Sequence, residues 1–109
     1  MHSLKKQKDF QNVYQNGSVF GNRQLVMIYK KNNLEMNRIA VIASKKVSNR
    51  AVDRNRLRRQ IKEAYRHMEA KLKLGYDIIF IVKKNCLNQP YIVLEKALNH
   101  LMYKKDLFR

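Results

Sequence analysis

Apolar residues recur with a helical period in three stretches of the chain and cluster in extended runs in three others. Phe10, Val13 and Tyr14 stand at i, i+3 and i+4 between Lys5 and Asn16, which predicts a short amphipathic helix stopped by Gly17. Leu57, Ile61, Ala64 and Met68 form one narrow stripe, predicting a second helix from about Asp53 to Glu69, with Gly75 marking the exit from its tail. Beyond Pro90, the positions Tyr91, Leu94, Ala97, Leu98, Leu101 and Met102 describe a third helix, with proline suited to its first turn. Between these lie strands. Arg23 to Lys30 and Arg38 to Ser44 are rich in β-branched and large apolar residues, and the polar Lys31 to Asn37 between them reads as a hairpin turn. Ser18 to Asn22 reads as a connection. Asp77 to Val82, DIIFIV, is continuously apolar and predicts a central strand covered on both faces for part of its length. The pattern is that of an α/β sandwich forming a single domain over residues 1–109, without repeats or linkers.

The polar side of the second helix changes the picture. Arg54, Arg58, Lys62 and Arg66 climb it at i, i+4 spacing, with Asn55 and Arg59 beside them. From Lys45 to Arg66 nine positive charges face only Asp53 and Glu63. A solubilising face mixes signs and places Glu one turn before Lys. This one repeats like charges, which weakens the isolated helix and calls for a polyanion. Arginine outnumbers lysine six to three in the window, favouring planar, bidentate contact with phosphate.

Composition points the same way. The 109 residues carry a net charge of +16, a statement about partners rather than fold. An anionic membrane surface is a poorer match, because the basic helix lacks a bulky apolar face with Trp or Phe and the chain has no Trp. Its apolar runs are too short to span a bilayer. The opening Met1-His2-Ser3-Leu4-Lys5-Lys6 has no apolar segment behind its charges, so no signal peptide is expected and the cytoplasm is. Cys86 stands alone, which rules out an intrachain disulfide and a thiolate metal cluster.

Candidate chemistry within the protein is thin. A metal nuclease needs converging carboxylates, whereas Asp53 and Glu63 lie ten residues apart and Asp9, Asp77 and Asp106 are isolated in sequence. These acids read as caps, ion-pair partners or solvated ends; no catalytic or metal-ligating residue is assigned. A metal-free ribonuclease would need a His pair from His2, His67 and His100, of which His67 and His100 could meet only if their two helices brought them together. No phosphate-binding glycine loop is present. Phe10, Tyr14 and Phe20, close to basic residues, could stack unpaired bases, although Phe10 and Tyr14 equally suit the packed side of the first helix.

The stretch KKVSNRAVDRNRLRRQIKEAYR, with Arg54-Asn55-Arg56 at its heart, closely resembles the signature of the bacterial ribonuclease P protein subunit. LKKQKDFQNVYQNG, from Leu4 to Gly17, is similar to that family's first helix, and NRQLVMIY, from Asn22 to Tyr29, to its following strand. The resemblance implies an α+β two-layer sandwich of order αβββαβα, with a central mixed sheet and a left-handed βαβ crossover around the basic helix. It implies an accessory subunit of an endoribonuclease ribonucleoprotein that removes the 5′ leader of precursor transfer RNA. In that assembly the catalyst is the RNA subunit, Mg2+ is held mainly by RNA, the partners are ribonuclease P RNA and precursor tRNA, and no obligatory protein partner is implied. Contact with the catalytic RNA carries over to Lys45, Lys46, Asn49, Arg50, Arg54, Asn55, Arg56, Arg58, Arg59 and Lys62. A leader-binding cleft carries over to Phe10, Tyr14, Phe20 and Ile28, the last standing where the family often has an aromatic. A structural, ribosomal-type RNA-binding protein without an enzymatic role is the second reading, and a protein-only ribonuclease the third.

Overall fold

The computed structural model describes all residues, Met1–Arg109. Ten residues, Gln7–Asn16, form α1; eighteen, Ala51–Met68, form α2; and fourteen, Tyr91–Lys104, form α3. Five strands, β1 His2–Ser3, β2 Ser18–Gly21, β3 Leu25–Lys31, β4 Arg38–Ile42 and β5 Tyr76–Val82, build one mixed sheet in the order β1-β4-β5-β3-β2. The predicted connection at Ser18 to Asn22 is thus mostly strand, and the chain's first residues pair in parallel with β4.

The hairpin predicted between β3 and β4 does not form. Strand β5 inserts between them, antiparallel to β3 and parallel to β4, so residues 32–37 turn back across its end instead of joining adjacent strands. The physical reason lies in the apolar run of β5: buried from Asp77 to Phe80, it takes the centre of the sheet, where both of its faces are covered. Asn32 adapts the crossing, donating to Met36 O and to Asp77 Oδ1. Strands β4 and β5 with α2 between them make the βαβ unit that the resemblance implies.

Alternation along the strands divides the core. Leu25, Met27, Ile39, Val41, Ile78, Phe80 and Val82 face α2 and α3, meeting Leu57, Ile61, Tyr65, Leu94, Leu98 and Leu101 in the main cluster. Each such side chain contributes about 1.5–3 kcal/mol on burial. On the opposite face α1 lies across part of the sheet, and only Leu4, Val13, Ile28 and Ile79 are fully packed. Gly17 ends α1 for a reason different from the expected one. Its φ of −82° suits any residue, but a Cβ there would stand 2.5 Å from Val13 O and 3.0 Å from both Ile28 Cγ2 and Tyr29 O. Glycine lets the helix end press against β3.

Candidate nucleic-acid interface

Packing of Leu57, Ile61, Ala64 and Met68 against the sheet turns the opposite side of α2 outward. There Asn55, Arg58, Arg59, Lys62, Glu63 and Arg66 line a shallow groove of about 280 Å³ with no apolar residue in it. Arg59 and Lys62 form no ion pair or side-chain hydrogen bond within the chain, and their charges are unneutralised. Arg66 pairs with Glu63 at 2.8 Å.

The ridge divides into two kinds of arginine. Arg54 donates to Ser48 O at 2.9 Å and Arg58 to Ala43 O at 3.2 Å, while a second Arg58 nitrogen donates to Asn55 Oδ1. These side chains brace the connection from Ala43 to Arg50, where Lys45, Lys46, Asn49 and Arg50 are exposed. Ser48 completes the brace: its hydroxyl donates to Asp53 Oδ2 and accepts from the Arg50 N–H. Asp53 also lies 3.7 Å from Arg56 and 3.9 Å from Arg50, in the first turn where a carboxylate suits the helix dipole. Charge and loop geometry are thereby coupled. The spacing of arginines alone could not separate braces from free cations, because the acceptors are backbone carbonyls outside the helix.

On the α1 face, Phe10 packs against the small cluster, Val13 is buried, and Tyr14 stays 46% exposed. Beside them runs an apolar strip in which Val26, Ala40, Ile42 and Ile81 are half-buried and Ile28 and Ile79 are buried. Val26, Ile81 and Ile42 are register neighbours across three strands, and Ile28, Ile79 and Ala40 form the next row. Ile28 therefore shares the face of Phe10 and Tyr14, where it is buried in the small cluster. Phe20 does not. It pairs with Met27 and so projects to the α2/α3 face, 6.1 Å from the His100 ring and with Lys105 Nζ 4.7 Å from its centroid. Period-two alternation within β2 moves it away, and Val19, 63% exposed, takes the cleft side instead.

Apart from the exposed Glu35, the carboxylates are engaged within the chain. Asp77, 3% exposed, receives Arg38 Nε at 2.8 Å and Nη2 at 2.6 Å, with Arg38 Nη1 reaching Asp9 at 3.3 Å. Those hydrogen bonds to Asp77 raise the Arg38 pKa above its ordinary value. His67 lies between Glu63 and Glu95 with Tyr91 beside it, and His100 contacts Asn22, so the two histidines have separate partners. No three His, Cys, Asp or Glu side chains converge as a metal site.

Comparison with known proteins decides the family. Residues 1–106 match Ribonuclease P. A ribonuclease P protein component from Alkaliphilus metalliredigens is 45% identical over 106 residues, covering 97% of this chain and 95% of that one. Another, from Clostridioides difficile, is 40% identical over 105 residues, covering 95% and 91%. The chain belongs to the ribonuclease P protein family. The solved ribonuclease P protein of Staphylococcus aureus superposes with a TM-score of 0.90 at 28% identity, covering 100% of this chain and 99% of that one. The Thermotoga maritima ribonuclease P protein shares the fold, with a TM-score of 0.86 at 22% identity over 95% and 97% of the two chains.

As a ribonuclease P protein component, the chain is the RNA-binding accessory subunit of a tRNA-processing endoribonuclease whose catalysis lies with its RNA. No helix is long and apolar enough to cross a membrane. Val26, Ala40, Ile42 and Ile81, which extend the strip beside α1, were missed from the sequence. Their alternation was visible there, but which strands stand side by side was not.

Proposed function

We propose that α2 and the braced connection before it dock on the phosphate backbone of ribonuclease P RNA, while the apolar strip beside α1 holds the 5′ leader of precursor tRNA. The carrying observation is the outward side of α2, where cations repeat at one-turn spacing along a groove free of apolar side chains and two of them, Arg59 and Lys62, have no internal partner. Arg59 and Lys62 supply free charge to phosphates. Arg54 and Arg58, through their carbonyl bonds, present Lys45, Lys46, Asn49 and Arg50 in one arrangement. Asn55 and Arg56 add polar contacts from the same helix. Tyr14 and Phe10, at the edge of the strip, offer stacking to unpaired bases whatever their sequence.

Magnesium in this reading belongs to the RNA, which carries the reaction, and the protein acts with it in the cytoplasm. The donor set agrees, since Asp77 and Asp9 are bound to Arg38 and Asp53 to Ser48 and the helix start. What the protein supplies is substrate affinity and charge neutralisation. The test is reconstitution with the cognate RNA and a precursor tRNA. Adding the protein should raise cleavage strongly at low magnesium, and the protein alone, freed of RNA, should cleave nothing. Unchanged cleavage would reduce the chain to a structural RNA-binding protein.

A further inference from the structure

A second open surface lies at the end of the sheet where the strip stops. The β2–β3 turn, Asn22 to Gln24, rises between two adjoining depressions of about 420 Å³ each, which share Arg23 and Gln24. One is completed by Asn85 and Gln89 from the connection after β5, the other chiefly by Lys96 and His100 of α3. No carboxylate lines either depression.

The turn that forms this wall is rigidly built. Asn22 Oδ1 accepts from the Gln24 and Leu25 N–H groups, and its amide donates to Ala97 O at 2.9 Å. Lys83 Nζ donates to Asn22 O at 2.6 Å, and the Cys86 thiol donates to Gln24 O at 3.1 Å. Arg23 and Lys96, in contrast, make no ion pair or side-chain hydrogen bond and are exposed. A fixed scaffold thus presents two unneutralised cations beside uncharged amide side chains. Behind them the Phe20 ring flanks His100. Cations for phosphates, amides for base edges or riboses, and an imidazole at an aromatic edge suit a single RNA strand rather than an acidic peptide.

Continuity indicates which strand. Gly21, just before the turn, is the register partner of Val26, the end of the apolar strip. A strand lying on Val26, Ile81 and Ile42 meets Arg23 when it passes over the sheet end.

We propose that this groove is a distal track for the precursor leader, holding nucleotides beyond those in the strip beside α1. The proposal rests on the leader reading of that strip. It assigns Arg23 and Lys96 to leader phosphates and gives Phe20 a supporting place on the opposite side of the sheet from Phe10.

The holoenzyme tests it with two precursors, one with a short leader and one with a leader roughly 10 nucleotides longer, within the span that single-strand grooves track. The Arg23→Gln, Lys96→Gln double variant should bind the long-leader precursor roughly 10-fold more weakly, with a salt slope shallower by about 1.4, and the short-leader precursor normally. Unchanged long-leader affinity overturns the proposal. Equal losses on both precursors also overturn it, as does weaker binding to the catalytic RNA alone, which would assign the groove to that RNA. Tyr14→Ala separates the underlying reading: it should weaken the short-leader complex, and if it does not, the strip loses the leader while a long-leader effect of the double variant still stands. A photo-cross-linker on Gln89→Cys should mark the distal leader, because Cys86 is buried and its thiol, pushed up to about 11 by burial, resists labelling.

Discussion

Phe80 and Ile81 are neighbours on β5, yet they inhabit different chemistry. Phe80 is fully buried between the sheet and Tyr65 of α2, whereas Ile81 is half-buried in the strip that α1 leaves uncovered. One face of the sheet is closed by two helices, and the other by a single helix that stops short of the last row. Apolar character alone therefore does not separate the residues that build the core from those proposed to bind the leader. The covering element does.

The sharpest test of that contrast substitutes the neighbours. Phe80→Ala should cost about 3–5 kcal/mol of unfolding free energy, and Ile81→Ala about 1 kcal/mol with a clear loss of affinity for leader-bearing precursor. Equal costs in a urea titration would erase the distinction. Next in size is Arg38→Ala, which leaves the buried Asp77 carboxylate with Asn32 but without its cation. It should destabilise by about 3 kcal/mol and free the start of α1 from Asp9's anchor, a change that thermal unfolding measures.

A smaller effect falls on the cleft itself. Gly17→Ala forces the added methyl against Val13 O and β3, so α1 must move; about 1–3 kcal/mol of stability and part of the leader affinity should go together. If stability fell while leader affinity held, the position of α1 would be irrelevant to the strip.

The smallest effect lies on the closed face. The Tyr65 hydroxyl is buried without a hydrogen-bond partner, and burial pushes its pKa from 10.0 up to about 12. The native state then keeps this proton after the unfolded state has lost it, so stability present below pH 10 declines as pH rises from 10 to 12. Tyr65→Phe should remove that decline and leave neutral-pH stability equal or slightly higher. Cys86, raised from 9.0 to about 11, adds a similar fall beginning one unit lower. Urea midpoints across the alkaline range for both proteins would show it.

All three helices were legible in the sequence because their apolar stripes are regular, and the basic ridge was legible because like charges repeat at one-turn spacing. The sheet order was not. Lys31 to Asn37 has the composition of a hairpin turn, and only the competition of DIIFIV for the sheet centre makes it reach across an intervening strand. The same limit separated Phe20 from Phe10: nothing local tells which face a four-residue strand presents until its partner's register is known. Bracing by Arg54 and Arg58 was hidden for a related reason, since its acceptors are carbonyls of a loop whose path depends on the fold.

That bracing also selects the decisive experiment. Arg54 or Arg58 substitutions would disturb the loop as well as the charge, whereas Arg59 and Lys62 make no ion pair or side-chain hydrogen bond within the chain. Affinity for ribonuclease P RNA should be measured against salt for the native protein and for the Arg59→Ala, Lys62→Ala variant. With six to ten phosphates neutralised, the native protein should lose roughly 10³–10⁵ in affinity between 50 and 200 mM salt. The variant's log–log slope should be shallower by about 1.8, at unchanged thermal stability. An identical slope in the two proteins would contradict docking of the α2 ridge on RNA phosphates.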